Sequence, residues 1–141
     1  MIKDMVSLSY KHQFYGRRKA YRLSLQRQKL LDTLLPKLII ELDESKTLIP
    51  TELFKKSSKV WLEIGFGAGE HLVAQAEKYP DINFIGCEPY INGVAKLLSE
   101  IKEKSITNIR IYNDDARFLL EKLAPNSIDK VFILFSDPWP K

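Results

Sequence analysis

From residue 59 onward the apolar and polar positions alternate between two periods. Short, largely apolar runs at 59–64, 83–88, 109–112 and 130–135 are separated by segments at 70–79, 90–104 and 116–123 whose apolar residues recur three and four apart. The short runs predict strands and the periodic segments predict helices. Strands joined by helices of this length need right-handed crossovers, which implies a parallel sheet with helices on both faces. The fold class expected is therefore α/β. Upstream, Leu23, Leu30, Leu31, Leu34, Leu35 and Leu38 recur at near-helical spacing with Pro36 interrupting them, which predicts one helix ending near Pro36. Residues 43–58, with Pro50 and a Ser/Lys cluster at their end, read as a connector holding at most one short helical turn. No internal repeat or low-complexity tract is visible.

Composition narrows the class further. A chain of 141 residues makes one domain at most, and 45% hydrophobic with 28% charged residues is a globular balance. The longest apolar stretch, residues 131–135, is far below the roughly 20 residues that span a bilayer. Met1-Ile2-Lys3-Asp4-Met5 carries both signs of charge with no apolar h-region, so a cytoplasmic location is expected. One cysteine, Cys87, and two distant histidines, His12 and His71, supply neither a disulfide framework nor a clustered zinc site, so no metal is expected. Cys87 reads as a small buried strand residue and His71 as a surface residue.

The net charge of +4 is unevenly spread. Residues 1–30 hold eight Lys and Arg against a single acid, Asp4, while residues 31–141 hold 14 against 17. At the centre of the basic region, Phe14-Tyr15-Gly16-Arg17-Arg18-Lys19-Ala20-Tyr21-Arg22 mixes guanidinium groups with aromatic rings. Such a segment can neutralise phosphates and stack on unpaired bases, although a solvated basic tail has the same composition.

The first strand runs into Glu63-Ile64-Gly65-Phe66-Gly67-Ala68-Gly69-Glu70, a glycine turn opening a helix. Glycines there permit unusual φ angles and let a ligand approach the backbone beside the positive end of the helix. Any tight strand-to-helix loop can use glycines, so context decides. Glu88 ends the second strand 19 residues after Gly69, where a carboxylate can accept bonds from both hydroxyls of a ribose. A dinucleotide fingerprint sets its third glycine one residue later than here, to accommodate a pyrophosphate. Glu63 and Glu70 would repel that anion but are compatible with a ligand bearing an ammonium and a sulfonium, which points to S-adenosylmethionine. After the third strand, Asp115 could accept a bond from the adenine amine, while Asp114 and Asp115 could equally cap the next helix. The fourth strand runs into Phe135-Ser136-Asp137-Pro138-Trp139-Pro140-Lys141. A carboxylate at the C-terminal end of a central parallel strand projects into the ligand crevice of such sheets, which sets Asp137 over the reacting centre.

Taken together, Phe14-Tyr15-Gly16-Arg17-Arg18-Lys19, the glycine turn, Glu88, Asn113-Asp114-Asp115-Ala116 and the Asp-Pro-Trp-Pro-Lys ending resemble the bacterial tRNA (guanine-N7)-methyltransferases, within the class I S-adenosylmethionine-dependent methyltransferases. The resemblance implies a Rossmann-like sheet whose first four strands run 3-2-1-4. It also implies that Glu63, Gly65, Gly67, Gly69, Glu88, Asp115 and Asp137 bind the cofactor, that Asp137 is the active-site acid and that Lys141 binds substrate. The partner implied is tRNA, with no membrane and no metal; the oligomeric state stays open, a monomer included. The organisation expected is a basic extension and helix over 1–50, then a partial S-adenosylmethionine-binding domain over 51–141.

The sequence ends directly after the fourth strand, whereas the superfamily sheet has seven. A C-terminal half is therefore expected to be missing, leaving strand four as an edge with an uncovered apolar face and the chain marginally stable, with weak cofactor binding and uncertain activity of its own. Two other readings remain: an adenine or glutamine amino-methyltransferase, from whose proline pattern Trp139 departs, and a non-catalytic RNA-binding fragment.

Overall fold

A computed structural model describes residues 22–134 of the chain. Four strands, β1 (Val60–Ile64), β2 (Asn83–Cys87), β3 (Ile109–Tyr112) and β4 (Lys130–Ile133), form one sheet in the order β3-β2-β1-β4. Every pairing is parallel, with Leu62 opposite both Ile85 and Val131. Helices α3 (Glu70–Lys78), α4 (Ile91–Lys104) and α5 (Ala116–Lys122) make the crossovers. The α/β class and the strand order implied by the resemblance are those found, with element ends moved by one or two residues.

Side-chain alternation along the strands divides the core in two. On one face Phe84, Ile109 and Ile111 pack with Leu72, Val73 and Ala76 of α3 and with Val94, Leu97, Leu98 and Ile101 of α4. On the other, Val60, Leu62, Ile85 and Cys87 pack with Leu119 of α5, Ile40 and Phe54. Both faces of β1 and β2 are covered, which is why these runs lack the alternation of a half-exposed strand. Asn108, nearly buried, donates from Nδ2 to the carbonyls of Ala76, Tyr79 and Ile82 at 3.2, 3.3 and 2.9 Å, tying the end of α3 to the start of β3.

Helix α1 (Leu25–Thr33) ends just before Pro36, as expected, and a further turn that was not expected, α2 (Leu35–Leu38), follows it with Pro36 in its first positions. The missing N–H of proline has no helical partner to lose there, and its fixed φ suits a helix start. Leu30, Leu35 and Leu38 join the same core as α4, the Ile40 N–H bonds Ile111 O at 2.8 Å, and the Leu48 N–H bonds Lys122 O at 2.7 Å. Residues 25–50 are thus packed on the sheet across the boundary drawn at residue 50. The connector holds one 3-10 turn, Pro50–Leu53.

Among the described residues β4 pairs only with β1, and its Val131 and Ile133 are 48% and 57% exposed; Phe118 and Leu120 of α5 are also half exposed. The uncovered apolar edge expected from the sequence is present among them. No helix among the described residues is long and apolar enough to cross a membrane.

Candidate functional site

In the order β3-β2-β1-β4 the chain steps outward from β1 to β3 and then returns to the far side of β1, so the crossovers on either side of β1 lie on opposite faces of the sheet. A crevice opens at the carboxyl ends of strands at such a reversal. An open cleft of about 500 Å³ lies at the carboxyl ends of β1, β2 and β3, walled by Ile64, Gly65, Cys87, Pro89, Asp114 and Asp115 among others.

The glycine turn links β1 to α3. Gly65, Gly67 and Gly69 have φ of 77°, 63° and 91°, the left-handed region where a side chain is strained. Their surroundings differ. A Cβ on Gly69 would lie 2.6 Å from Leu97 Cδ1 and one on Gly65 would lie 3.2 Å from Leu134 O, whereas Gly67 faces open space. Two of the glycines therefore serve packing as well, and Gly67 leaves room for a ligand against the backbone.

Glu88 holds the turn from the neighbouring strand. Its Oε1 accepts the Gly67 N–H at 2.8 Å and its Oε2 accepts the Tyr90 N–H at 3.0 Å. A carboxylate has about four acceptor positions, so each oxygen keeps capacity for a ligand hydroxyl. Asp115 lines the cleft and also caps α5, accepting the Arg117 N–H at 2.9 Å and the Arg117 guanidinium at 2.6 Å. The capping role weighed from the sequence and the cleft position coexist in the same side chain. Asp114 accepts the Asp115 N–H at 2.7 Å.

Glu63 is not on the cleft wall. It is 1% exposed, its Oε1 lies 2.6 Å from His71 Nδ1, and its buried Oε2 has no partner among the described residues. Burial pushes its carboxyl above the usual glutamate range, with the His71 bond pulling the other way. The folded chain thus holds this proton more tightly than the unfolded one. Stability tied to the protonated form is complete below the ordinary glutamate value and is lost as pH rises through the raised folded value. Glu63→Gln, which keeps an acceptor for His71 and removes the ionisable carboxyl, is expected to add about 1 kcal/mol at pH 7 and to flatten the fall in stability as pH rises from the ordinary glutamate range. Urea denaturation in that range and at pH 7 checks this; a variant less stable at pH 7 would contradict it.

Cys87 is 1% exposed, and burial, with the nearby Glu88 and Asp115 charges, pushes its thiol up to about 12, so it stays a protonated core residue. Among the described residues no group of three or more His, Cys, Asp or Glu could hold a metal. Asp137, Lys141 and residues 14–21 of the basic segment lie outside the described residues.

Four contributors were not legible beforehand. His71, read as a surface residue, is half exposed yet bonded to Glu63. Asn113 is buried and donates from Nδ2 to Glu88 O at 2.7 Å, joining the ends of β3 and β2. Arg117 places a cation at the cleft rim beside Asp115. Gly93 brings α4 against the turn, since a Cβ there would lie 2.1 Å from Gly67 O. Of these only Asn113 carried a signal, its place at the end of a predicted strand.

Comparison with known proteins places the chain among methyltransferases. A tRNA (guanine-N(7)-)-methyltransferase of Rhodospirillum rubrum is 48% identical over 132 residues, covering 91% of this chain and 52% of that protein. One of Caulobacter sp. is 44% identical over 127 residues, covering 90% and 55%. The chain spans about half the length of these curated relatives. A solved structure described as an antibiotic related methyltransferase shares the fold, with a TM-score of 0.55 at 22% identity over 75% of this chain and 52% of that one. The family described as "Putative methyltransferase" matches residues 57–141, more than half of the sequence. That match covers more than half of the sequence and the parallel sheet agrees with it, so the chain belongs to that methyltransferase family.

Proposed function

We propose that the cleft at the carboxyl ends of β1–β3 binds S-adenosylmethionine and that the chain serves methyl transfer to N7 of a guanine in tRNA. The observation that carries this reading is the glycine turn itself: Gly67 is open to a ligand while Glu88 and Glu63 stand against the turn, and the Arg117 guanidinium at the cleft rim is already paired with Asp115. Such surroundings disfavour a pyrophosphate and favour a cationic ligand. The names of the relatives supply the nucleobase and the atom.

In this reading Gly65, Gly67 and Gly69 let the ligand reach the backbone, Glu88 receives the ribose hydroxyls on its free acceptor positions, and Asp115 receives the adenine amine. Glu63 contributes negative charge from beneath the turn. When bound, S-adenosylmethionine supplies an electrophilic methyl group on a sulfonium. Guanine N7 has an in-plane lone pair that is unprotonated near neutral pH, so no general base is required. The protein's part is to hold the base in line and at near-attack distance. We assign that part to Asp137, which orients the guanine or shields the cationic product, and to Lys141 and the basic aromatic segment of residues 14–22, which grip the tRNA backbone. A cytoplasmic site of action follows from the tRNA substrate.

Two measurements test this. Labelled methyl transfer to unmodified tRNA, followed by cleavage at N7-methylguanosine, is expected to map label to a guanine; label on an exocyclic amine would instead favour the amino-methyltransferase reading. Asp137→Asn is expected to lower the transfer rate about 100-fold, the scale of one lost stabilising contact at a reacting centre, and an undiminished rate would remove Asp137 from its role.

A further inference from the structure

We infer that His71 is a positioning residue for the glycine turn, its imidazole bracing the two ends of the turn through Glu63. The inference rests on the reading of that turn as the methyl-donor site. Glu63 stands two residues before Gly65 and His71 two after Gly69, so the 2.6 Å contact between Nδ1 and Oε1 spans the whole turn. Between them lie three glycines in left-handed conformations, which a glycine segment leaves as readily as it enters. Backbone bonds hold the turn to β2, from the Gly65 N–H to Cys87 O at 2.8 Å and from the Gly67 N–H to Glu88. The His71–Glu63 bond adds what these lack, a side-chain link from the end of β1 to the first turn of α3.

The surroundings match such a role. Glu63 is buried with Oε2 unbonded among the described residues, an arrangement that costs stability when it serves packing alone. The His71 ring is set edge-on against Phe132 of β4, with centroids 5.0 Å apart, so a third strand fixes its orientation. Without His71 neither Glu63 oxygen would have a donor among the described residues, and only the backbone bonds to β2 would restrain the turn before ligand arrives. The ordering cost then appears as lost affinity.

The test compares the 141-residue chain with His71→Ala and His71→Asn by S-adenosylmethionine titration, thermal unfolding and long-range 15N NMR of the imidazole. The wild-type ring is expected to carry its proton on Nδ1. His71→Ala is expected to bind the donor about tenfold more weakly, the effect of one net hydrogen bond, while His71→Asn, whose amide can donate from the Nδ1 position, recovers to within about threefold. A packing role alone would lower both thermal midpoints in parallel with no such split in affinity, and that result overturns the inference. So does undiminished binding by folded His71→Ala, or a wild-type ring protonated only at Nε2. Should His71→Ala not fold, affinity of His71→Asn far below wild type overturns it as well. Absence of binding by the wild-type chain is the separate result that removes the donor site, and this inference with it.

Discussion

Gly93→Ala is expected to destabilise the chain by about 2 kcal/mol, although alanine is the better helix former. Gly93 is the third residue of α4, where the exchange would ordinarily gain up to about 1 kcal/mol. The added Cβ would lie 2.1 Å from Gly67 O and 3.0 Å from the Gly67 carbonyl carbon, and backbone cannot swing aside as a flexible side chain can. Helix or turn must shift, at a typical overpacking cost of about 3 kcal/mol. The shift falls on the one glycine of the turn that faces open space, so donor affinity should drop with stability. Urea denaturation measures the first effect. Gly67→Ala serves as the comparison, since its Cβ meets nothing within 4 Å and only the left-handed φ of 63° penalises it, by about 1–2 kcal/mol. A Gly93→Ala chain more stable than wild type would show that α4 and the turn are not in contact.

Glu88→Ala is expected to weaken donor binding about 100-fold. Two backbone amides, those of Gly67 and Tyr90, lose their acceptor, and each bond to a charged group is worth about 1.5–3 kcal/mol. One amide belongs to the turn and the other to Tyr90 at the start of α4, so the turn and the helix start loosen together. Part of the loss appears as instability of the free chain and part as affinity; the affinity part, about 3 kcal/mol, corresponds to the 100-fold figure. Glu88→Gln should fall between, because one oxygen still accepts while the amide nitrogen meets an N–H it cannot bond. Titration of the three chains with S-adenosylmethionine would show this order, and equal affinities would remove Glu88 from the site.

The parallel sheet was legible because each of its strands is a short, largely apolar run separated from the next by a helix-periodic segment, and because Gly65, Gly67 and Gly69 mark the β1–α3 junction. Pro36 marked where the first helix stops, but a proline that ends one helix can also start the next turn, and the short turn Leu35–Leu38 was not read for that reason. Glu63 and His71 were placed on the correct elements, yet their contact depends on how α3 leaves the turn, and periodicity is blind to that. Gly93 falls inside the helix predicted over 90–104, and nothing in that pattern singles it out. Its purpose lies in a neighbour 26 residues earlier in the chain, the carbonyl of Gly67. Asp115 reads as able to cap the helix and contact a ligand at once, and the structure gives that one carboxylate the helix cap and a place on the cleft wall.

Calorimetric titration of the purified chain with S-adenosylmethionine, beside a parallel titration with a nicotinamide dinucleotide, tests the acidic glycine turn most directly. Saturable binding of the methyl donor with no heat from the dinucleotide is the result expected. Preference for the dinucleotide, or no heat from either, would contradict the assignment of the cleft.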